Sequence, residues 1–200
     1  MTASDNKKLN STLNETFDFA KTRIERYEIY NTNDQVKSLV RLMDKTTELS
    51  RVIAQEDNLS EEMLDEYANE QRLTGILVLD QNQKVTEQTA KDGDAMLLWQ
   101  KLIESDYVCD IAKYPQKTYT TRLRNEGKLY DFAAVARQDA AGIVITYMQK
   151  EEVSELNGDL TMKSLFADFP FEMNGSIVIC DDDKVVSTNK QELLSSSVEE

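Results

Sequence analysis

Two arginines and an aspartate on neighbouring predicted strands are the residues best suited to recognising a small charged molecule. Arg122 lies in TYTTRLR, whereas Asp131 and Arg137 lie in LYDFAAVARQ. A guanidinium group presents a planar fork that fits a carboxylate, and a carboxylate suits an ammonium group. Together the three would match an amino acid or a small organic acid. The alternative is an exposed ion pair between neighbouring strands, which is common in sheets.

Aromatic residues could form the wall of such a site. Trp99 lies in a predicted helix, Tyr107 and Tyr114 follow it, and Tyr119 and Tyr130 lie on predicted strands. Ligand pockets are mostly apolar with a few convergent polar groups, so these side chains are reasonable neighbours for Arg and Asp. The alternative for Trp99 is the hydrophobic core, because aromatic residues at helical spacing usually pack there.

Strand alternation divides these candidates between two faces of a sheet. Tyr130 shares a face with Phe132 and Ala134, whereas Asp131 shares the opposite face with Val135. The sequence does not say which face carries a pocket, so residues of both faces are candidates. The predicted ligand-binding residues are Trp99, Tyr107, Tyr119, Arg122, Tyr130, Asp131 and Arg137.

Catalytic chemistry is poorly supported by the composition. The chain has no histidine, the commonest general base and metal ligand. No grouping of a nucleophile, a base and an orienting residue is evident, so we expect no enzymatic activity, cofactor or metal in this segment. The run CDDDK at 180–184 lacks the alternating spacing of a calcium loop, and a solvated hairpin turn is the favoured interpretation.

The net charge, the apolar content and the cysteines of the chain exclude several kinds of partner and covalent link. The net charge of −14 argues against binding nucleic acid or an anionic membrane surface through a basic patch. No apolar run is long enough to span a bilayer and no signal peptide is visible. If the segment works outside a membrane, its spanning helices lie outside the printed sequence. Cys109 and Cys180 are expected to be buried free thiols rather than a disulfide.

A long helix is predicted before the strands. No glycine or proline precedes Gly75, and the apolar spacing predicts one helix over roughly 5–56, bent near Asn31. Its apolar residues are Leu13, Phe17, Ala20, Ile24 and Tyr27, then Val36, Leu39, Val40, Met43, Val52 and Ile53. About fifty residues at ~1.5 Å each reach ~75 Å, well beyond a compact module, so the helix is expected to back two modules.

A strand–turn–strand pattern occurs twice. GILVLDQNQKV begins at Gly75, and Gly75, Val78, Lys84 and Val85 reappear one hundred residues later as Gly175, Val178, Lys184 and Val185. The first copy continues with helices in DGDAMLLWQKLIES and DYVCDIAKYPQK, in which Met96, Leu97, Trp99, Leu102 and Ile103 are expected to face inward. Three strands joined by short turns then predict an antiparallel sheet. The second copy follows a helical connector and is cut short.

This order of elements resembles a PAS-like domain of the Cache type, and the second copy resembles the double Cache arrangement. The phrases that carry the resemblance are GILVLDQNQKV, KTYTTRLRNEGKLYDFAAVARQDAAGIVITY and GSIVICDDDKVV. The resemblance implies an α+β fold: a long N-terminal helix behind a five-stranded antiparallel sheet, then a partial second module. The implied domains are a helix over 1–57, a membrane-distal sensor module over 58–150, a connector over 151–173 and a reduced membrane-proximal module over 174–200.

The same resemblance implies a function. Cache modules are extracytoplasmic sensory parts of bacterial transmembrane receptors, including histidine kinases, diguanylate cyclases and chemoreceptors, so this segment would bind a small molecule and relay a conformational signal through its helix. Any kinase or cyclase activity would lie in another domain. One alternative is a dimerisation module without a ligand, paired through Leu13, Phe17, Ile24 and Tyr27. Another is an intracellular PAS-type regulator.

Overall fold

The structure is a computed structural model that describes residues 3–56, 59–90, 93–125, 128–150, 164–166, 169 and 176–197. The connector predicted over 151–173 therefore lies almost wholly outside the described residues. The chain divides into two compact units, one of residues 34–151 and one of residues 1–33 with 152–200. The predicted domain boundaries remain a prediction.

Four α-helices form in the order that the sequence predicts. They are α1 (Ala3–Gln55), α2 (Glu61–Gln71), α3 (Gly93–Ile103) and α4 (Asp106–Lys113). The prediction of one long first helix is confirmed, since α1 runs for 53 residues. Ser60 caps α2 as predicted, because its side chain accepts a hydrogen bond from the Met63 amide. Of the two predicted caps of α3, Asp92 lies outside the described residues, and Asp94 lies within the helix.

Five strands form the sheet of the unit 34–151. They are β1 (Gly75–Asp80), β2 (Val85–Ala90), β3 (Thr118–Asn125), β4 (Lys128–Ala136) and β5 (Gly142–Lys150). Their order is β2-β1-β5-β4-β3, and each neighbouring pair is antiparallel. The predicted α+β class, with a long helix and a five-stranded antiparallel sheet, is confirmed.

The sheet is covered on both faces. On the first, here called the α1 face, Leu49 and Ile53 of α1 and Leu64 of α2 pack with Ile76 and Val144. On the second, the α3–α4 face, side chains of α3 and α4 pack on inward residues of β1, β4 and β5. The buried members of this second cluster are Leu77, Leu79, Ala95, Leu98, Trp99, Leu102, Val108, Ile111, Tyr130, Phe132, Ala134, Ile143, Ile145 and Tyr147.

The apolar stripe predicted for α1 is partly wrong. Leu13, Phe17, Val36 and Val40 are exposed. Ile53 is buried as predicted, and the other buried positions are Ser38, Leu42, Thr46, Leu49 and Ser50. These recur every three to four residues as a helix face must, but half of them carry hydroxyl groups, so an apolar-only pattern cannot find them.

The inward face predicted for α3 also needs correction. Met96 and Leu97 are 47% and 59% exposed. Trp99 and Leu102 are buried as predicted, and Ala95 and Leu98 join them. The spacing of those four is the i, i+3, i+4, i+7 pattern of one helix face. An apolar composition on both sides of this short helix hid the correct phase.

Glycines permit two close approaches within the sheet. The Tyr147 ring lies over Gly75, where an added Cβ would come within 2.5 Å of the ring atoms. A Cβ at Gly142 would collide with the Leu79 carbonyl oxygen. Both positions therefore select the residue without a side chain.

The second unit contains the repeated hairpin. Its strands are β6 (Val178–Asp181) and β7 (Lys184–Thr188), and CDDDK forms the predicted turn, with Asp182 at a φ of 53°. Both hairpins contain a register shift, after Val78 in the first and after Ile179 in the second. Strand β1 thus corresponds to β6 with an offset of one residue from the predicted alignment, because the second turn is one residue shorter.

In the same unit, aromatic side chains from distant segments meet. The Phe19 ring lies 4.7 Å from Phe169 and 6.3 Å from Phe166 between centroids. The Arg23 guanidinium lies 5.0 Å from the Phe19 ring and donates to the Ser164 carbonyl at 3.0 Å. Here α1 is half-buried, unlike at Phe17.

Both cysteines are free thiols, but the prediction that they are buried is wrong: Cys180 is exposed and Cys109 is partly buried. Cys180 is exposed because it lies on β6, whose neighbour β7 supplies the buried side chains of that hairpin. Within the described ranges, no helix combines the length and apolarity that crossing a membrane requires.

Candidate functional site

The seven predicted site residues do not share one face of the sheet. Arg122 pairs with Asp131 across β3 and β4, and the next pair along, Leu123 with Tyr130, points the other way. Arg122 and Asp131 lie on the α1 face, since the Arg122 Nη2 atom is 3.8 Å from Asp34 of α1. Trp99, Tyr119 and Tyr130 pack on the α3–α4 face, and Tyr107 stacks on Tyr119. A single pocket cannot contact both groups.

Arg122 and Asp131 form a buried bidentate ion pair. Nε donates to Oδ1 at 2.6 Å and Nη2 to Oδ2 at 3.0 Å. The Arg122 side chain is 8% exposed and the Asp131 side chain 0%. The hydrogen bonds that Arg122 donates to Asp131 raise the pKa of Arg122 above its already high ordinary value, whereas desolvation acts to lower it. The fork that would recognise a ligand carboxylate is therefore filled by the protein itself.

Arg137 lies just beyond β4 and is bound locally. Its guanidinium Nε donates to the Asp139 carboxylate at 3.0 Å, and Nη2 donates to the second oxygen. This pairing lowers the pKa of Asp139, because the hydrogen bond and the positive charge both favour the ionised carboxylate. The same contact raises the pKa of Arg137. Arg137 thus fastens the turn into β5, whereas ligand contact remains an untested prediction for it.

The α3–α4 face is aromatic and largely closed. Trp99 is 9% exposed and Tyr130 0%, so both side chains are buried in the cluster of this face. Phe132 stacks against Tyr147 with ring centroids 5.4 Å apart. Among the described residues the buried Trp99 indole N–H has no hydrogen-bond partner. Since an unpaired buried donor is costly, the Trp99 indole N–H calls for an acceptor.

One edge of this face is open. The Tyr107 ring stacks parallel to the Tyr119 ring, with centroids 4.9 Å apart, and Tyr107 is 65% exposed. Tyr107 comes from α4 and Tyr119 from the edge strand β3. Tyr114 lies nearby in sequence, where its ring accepts Lys117 at 4.7 Å rather than joining the stack. The stacked pair offers an exposed aromatic surface beside the buried cluster.

The α1 face has a groove that sequence reasoning missed. It has a volume of about 470 Å³ and is lined by Asp44, Lys45, Thr47, Glu48, Arg51, Tyr67 and Gln71. Lys45 donates to the Gln71 carbonyl and Tyr67 donates to the Lys45 carbonyl at 2.9 Å. Burial, with the charges of Glu48 and Glu70, raises the pKa of Tyr67 to about 12. Burial, with nearby arginines, lowers the pKa of Lys45.

Three further residues were not among the predicted site residues: Phe132, Tyr147 and Asp34. Strand alternation placed Phe132 on the face of Tyr130, but only the pairing of β4 with β5 brings Tyr147 beside it. Asp34 lies in NTND, where the apolar phase of α1 slips, and no sequence pattern links its charge to Arg122. In the part of the chain that the structure describes, no three His, Cys, Asp or Glu side chains are grouped as metal ligands.

Comparisons with known proteins give remote structural similarity. No family profile and no curated protein matches the chain. The ligand-binding domain of Mlp24 with asparagine is 13% identical with a TM-score of 0.47, covering 94% of this chain and 78% of that one. The domain of the Pseudomonas aeruginosa amino acid chemoreceptor PctC with GABA is 13% identical with a TM-score of 0.43, covering 88% and 79%.

The Vibrio cholerae histidine kinase DctB sensor domain is also similar, with 13% identity, a TM-score of 0.39 and coverage of 96% of this chain and 72% of that one. The three structures are ligand-binding or sensor domains, one of them from a chemoreceptor and one from a histidine kinase. At such identities and scores, the ligands of those proteins do not transfer to this chain.

Proposed function

We propose that this chain is the ligand-sensing segment of a bacterial membrane receptor, working on the extracytoplasmic side, with an amino acid or small organic acid as its ligand. Any catalytic output would lie in another segment of the receptor. The observation that carries the proposal is the unequal covering of one sheet. One face carries a long helix suited to relaying a shift, and the other carries two short helices over aromatic side chains.

The proposed ligand site is the open edge of the α3–α4 face. A ligand ammonium group would lie against the Tyr107–Tyr119 stack, since aromatic faces attract cations. The Trp99 indole N–H would donate to the ligand carboxylate. Tyr130 would form the floor of the ligand site. Arg122 and Asp131 lie on the opposite face of the sheet, so they would not contact the ligand.

A thermal-shift screen tests this site. Wild type, Tyr107→Ala, Tyr119→Ala and the control Phe17→Ala would be melted with a panel of amino acids and small organic acids. Phe17 is a suitable control because it is 71% exposed and lies on α1. We expect at least one compound to stabilise wild type and the control but not the two tyrosine variants. A compound that stabilises all four equally would contradict the site, and no stabilising compound would contradict the ligand class.

Dimerisation is a second candidate, favoured by exposed apolar residues on α1. Leu13 and Phe17 are 56% and 71% exposed, although Ile24 and Tyr27 are half-buried. Such residues can pair two helices. Light scattering on wild type and on Leu13→Asp/Phe17→Asp separates the candidates: a dimer lost in the variant, together with an empty ligand screen, favours association as the function.

A further inference from the structure

Arg122 lies between two carboxylates that it holds very differently. Its guanidinium donates hydrogen bonds to both carboxylate oxygens of Asp131, at 2.6 and 3.0 Å. Its Nη2 atom lies 3.8 Å from Asp34 of α1, which is the outer limit of an ion pair. The Asp34 side chain is 38% exposed, whereas that of Asp131 is completely buried. The first contact is therefore permanent in the folded protein, and the second competes with water.

Beside its apolar cluster, which includes Leu49 and Ile53, the contact between α1 and the sheet contains further polar groups. The Thr46 and Thr146 hydroxyls are 2.5 Å apart, and Ser50 Oγ donates to the Ala136 carbonyl at 2.9 Å. Ser38, one turn after Asp34, is 6% exposed, and its hydroxyl has no partner among the described residues. Hydrogen bonds are directional, whereas apolar contacts are not, so polar contacts define where a helix sits along a sheet.

We propose that Arg122 fixes the position of α1 along the sheet, a role that we call the register lock. Asp131 holds the Arg122 guanidinium in place on the sheet, and Asp34 of α1 makes a weaker contact with it that can break and form again. Breaking only the Asp34 contact would leave the fold intact but let α1 occupy more than one position on the sheet. The unpaired Ser38 hydroxyl, one turn away, would gain a polar neighbour in such a shifted position. This inference rests on the proposed sensory function, and it adds how α1 is held on the sheet before a signal moves it.

Spin-label distances on the ligand-free chain test the lock. Labels would be placed at Val36→Cys on α1 and Gln149→Cys on β5, with both native cysteines replaced by alanine. Both label sites are exposed and lie in the same compact unit. We expect one narrow distance distribution in the otherwise wild-type chain and a broadened or two-peaked distribution in Asp34→Asn. Amide exchange in residues 34–46 should rise by at most about fivefold in this variant, the range of an exposed pair.

Two matched variants keep the test specific. Asp44→Asn removes the same charge from an exposed position of α1 and should keep the narrow distribution. Asp34→Glu keeps the charge on a longer side chain and should restore it. Identical distributions in Asp34→Asn and Asp44→Asn would overturn the proposal. Failure of Asp34→Asn to fold would overturn it too, because the contact would then be essential rather than exchangeable. Neither result bears on the ligand screen, since no ligand is present.

Discussion

On the α1 face, hydroxyl pairs and a charged network lie beside the apolar cluster that joins helix and strands, whereas on the α3–α4 face the contacts are mainly those of aromatic and aliphatic side chains. Thr46, Ser50 and Asp34 represent the first kind of contact, and Trp99 and Phe132 the second. Directional bonds hold an element at one position, but apolar packing tolerates small displacements that keep the buried area. The comparison predicts that loss of polarity harms the first face and loss of volume harms the second.

Removing the buried carboxylate should give the largest effect. Asp131→Ala leaves the Arg122 guanidinium, with its 8% exposed side chain, without its main partner. We expect a loss of about 3–5 kcal/mol in the free energy of unfolding, measured by urea denaturation. Asp34→Ala should lose less than about 1 kcal/mol, because its contact is long and partly exposed. Equal losses of stability in Asp131→Ala and Asp34→Ala would contradict the view that Asp131 is the main partner of Arg122.

Removing volume from the other face should be similarly severe. Phe132 is fully buried between Tyr130 and Tyr147. Phe132→Ala should lower the free energy of unfolding by about 3–5 kcal/mol, because it leaves a cavity. Phe132→Leu should recover much of that loss, since it restores apolar volume without any polar group. If the leucine variant were as unstable as the alanine variant, aromatic stacking rather than volume would hold this face.

A hydroxyl pair allows a sharper test of the α1 face. Thr46→Val or Thr146→Val alone should cost about 1–3 kcal/mol, because each leaves a buried hydroxyl without its partner across the interface. The double variant should cost less than the sum of the two single variants, because neither hydroxyl is then left over. Urea unfolding of all four proteins measures the coupling. Additive losses would mean that the two hydroxyls do not depend on each other.

Alkaline pH should weaken the contact between α1 and α2. The pKa of Tyr67 is raised from 10.0 to about 12 in the folded protein, first by burial and then by nearby acids. Folding thus favours the neutral phenol, so the stability that this group contributes is fully present below pH 10 and is lost as the pH rises towards 12. Unfolding curves between these values should fall more steeply for wild type than for Tyr67→Phe. Parallel curves would contradict a shifted phenol.

Exposed apolar residues of α3 should matter least. Leu97→Ser removes a side chain that is 59% exposed and should change the free energy of unfolding by less than about 0.5 kcal/mol. Leu98→Ser, its immediate neighbour at 8% exposure, is the matched control and should cost several times more. Similar costs for both would mean that the phase of α3 on the sheet is wrong.

Strand positions were readable from the sequence because alternation and short turns are local properties. Tyr130 and Asp131 were correctly assigned to opposite faces by period two alone. The buried faces of the helices were harder to predict from the sequence. The phase of α1 was obscured by Ser38 and Thr46, and that of α3 by the exposed pair Met96 and Leu97, because hydrophobic periodicity cannot detect hydroxyls that find partners on another element.

The candidate site shows the same division between local and non-local information. The sequence by itself determined that Arg122 and Asp131 lie on neighbouring strands, because a short turn joins the two strand patterns. Only the tertiary structure decided that α1 lies over this pair and buries it, which turns a possible ligand fork into an internal lock. The physical reason is that an ion pair covered by a helix is shielded from water and from ligands, and which pair a helix distant in sequence covers depends on packing that no local pattern encodes.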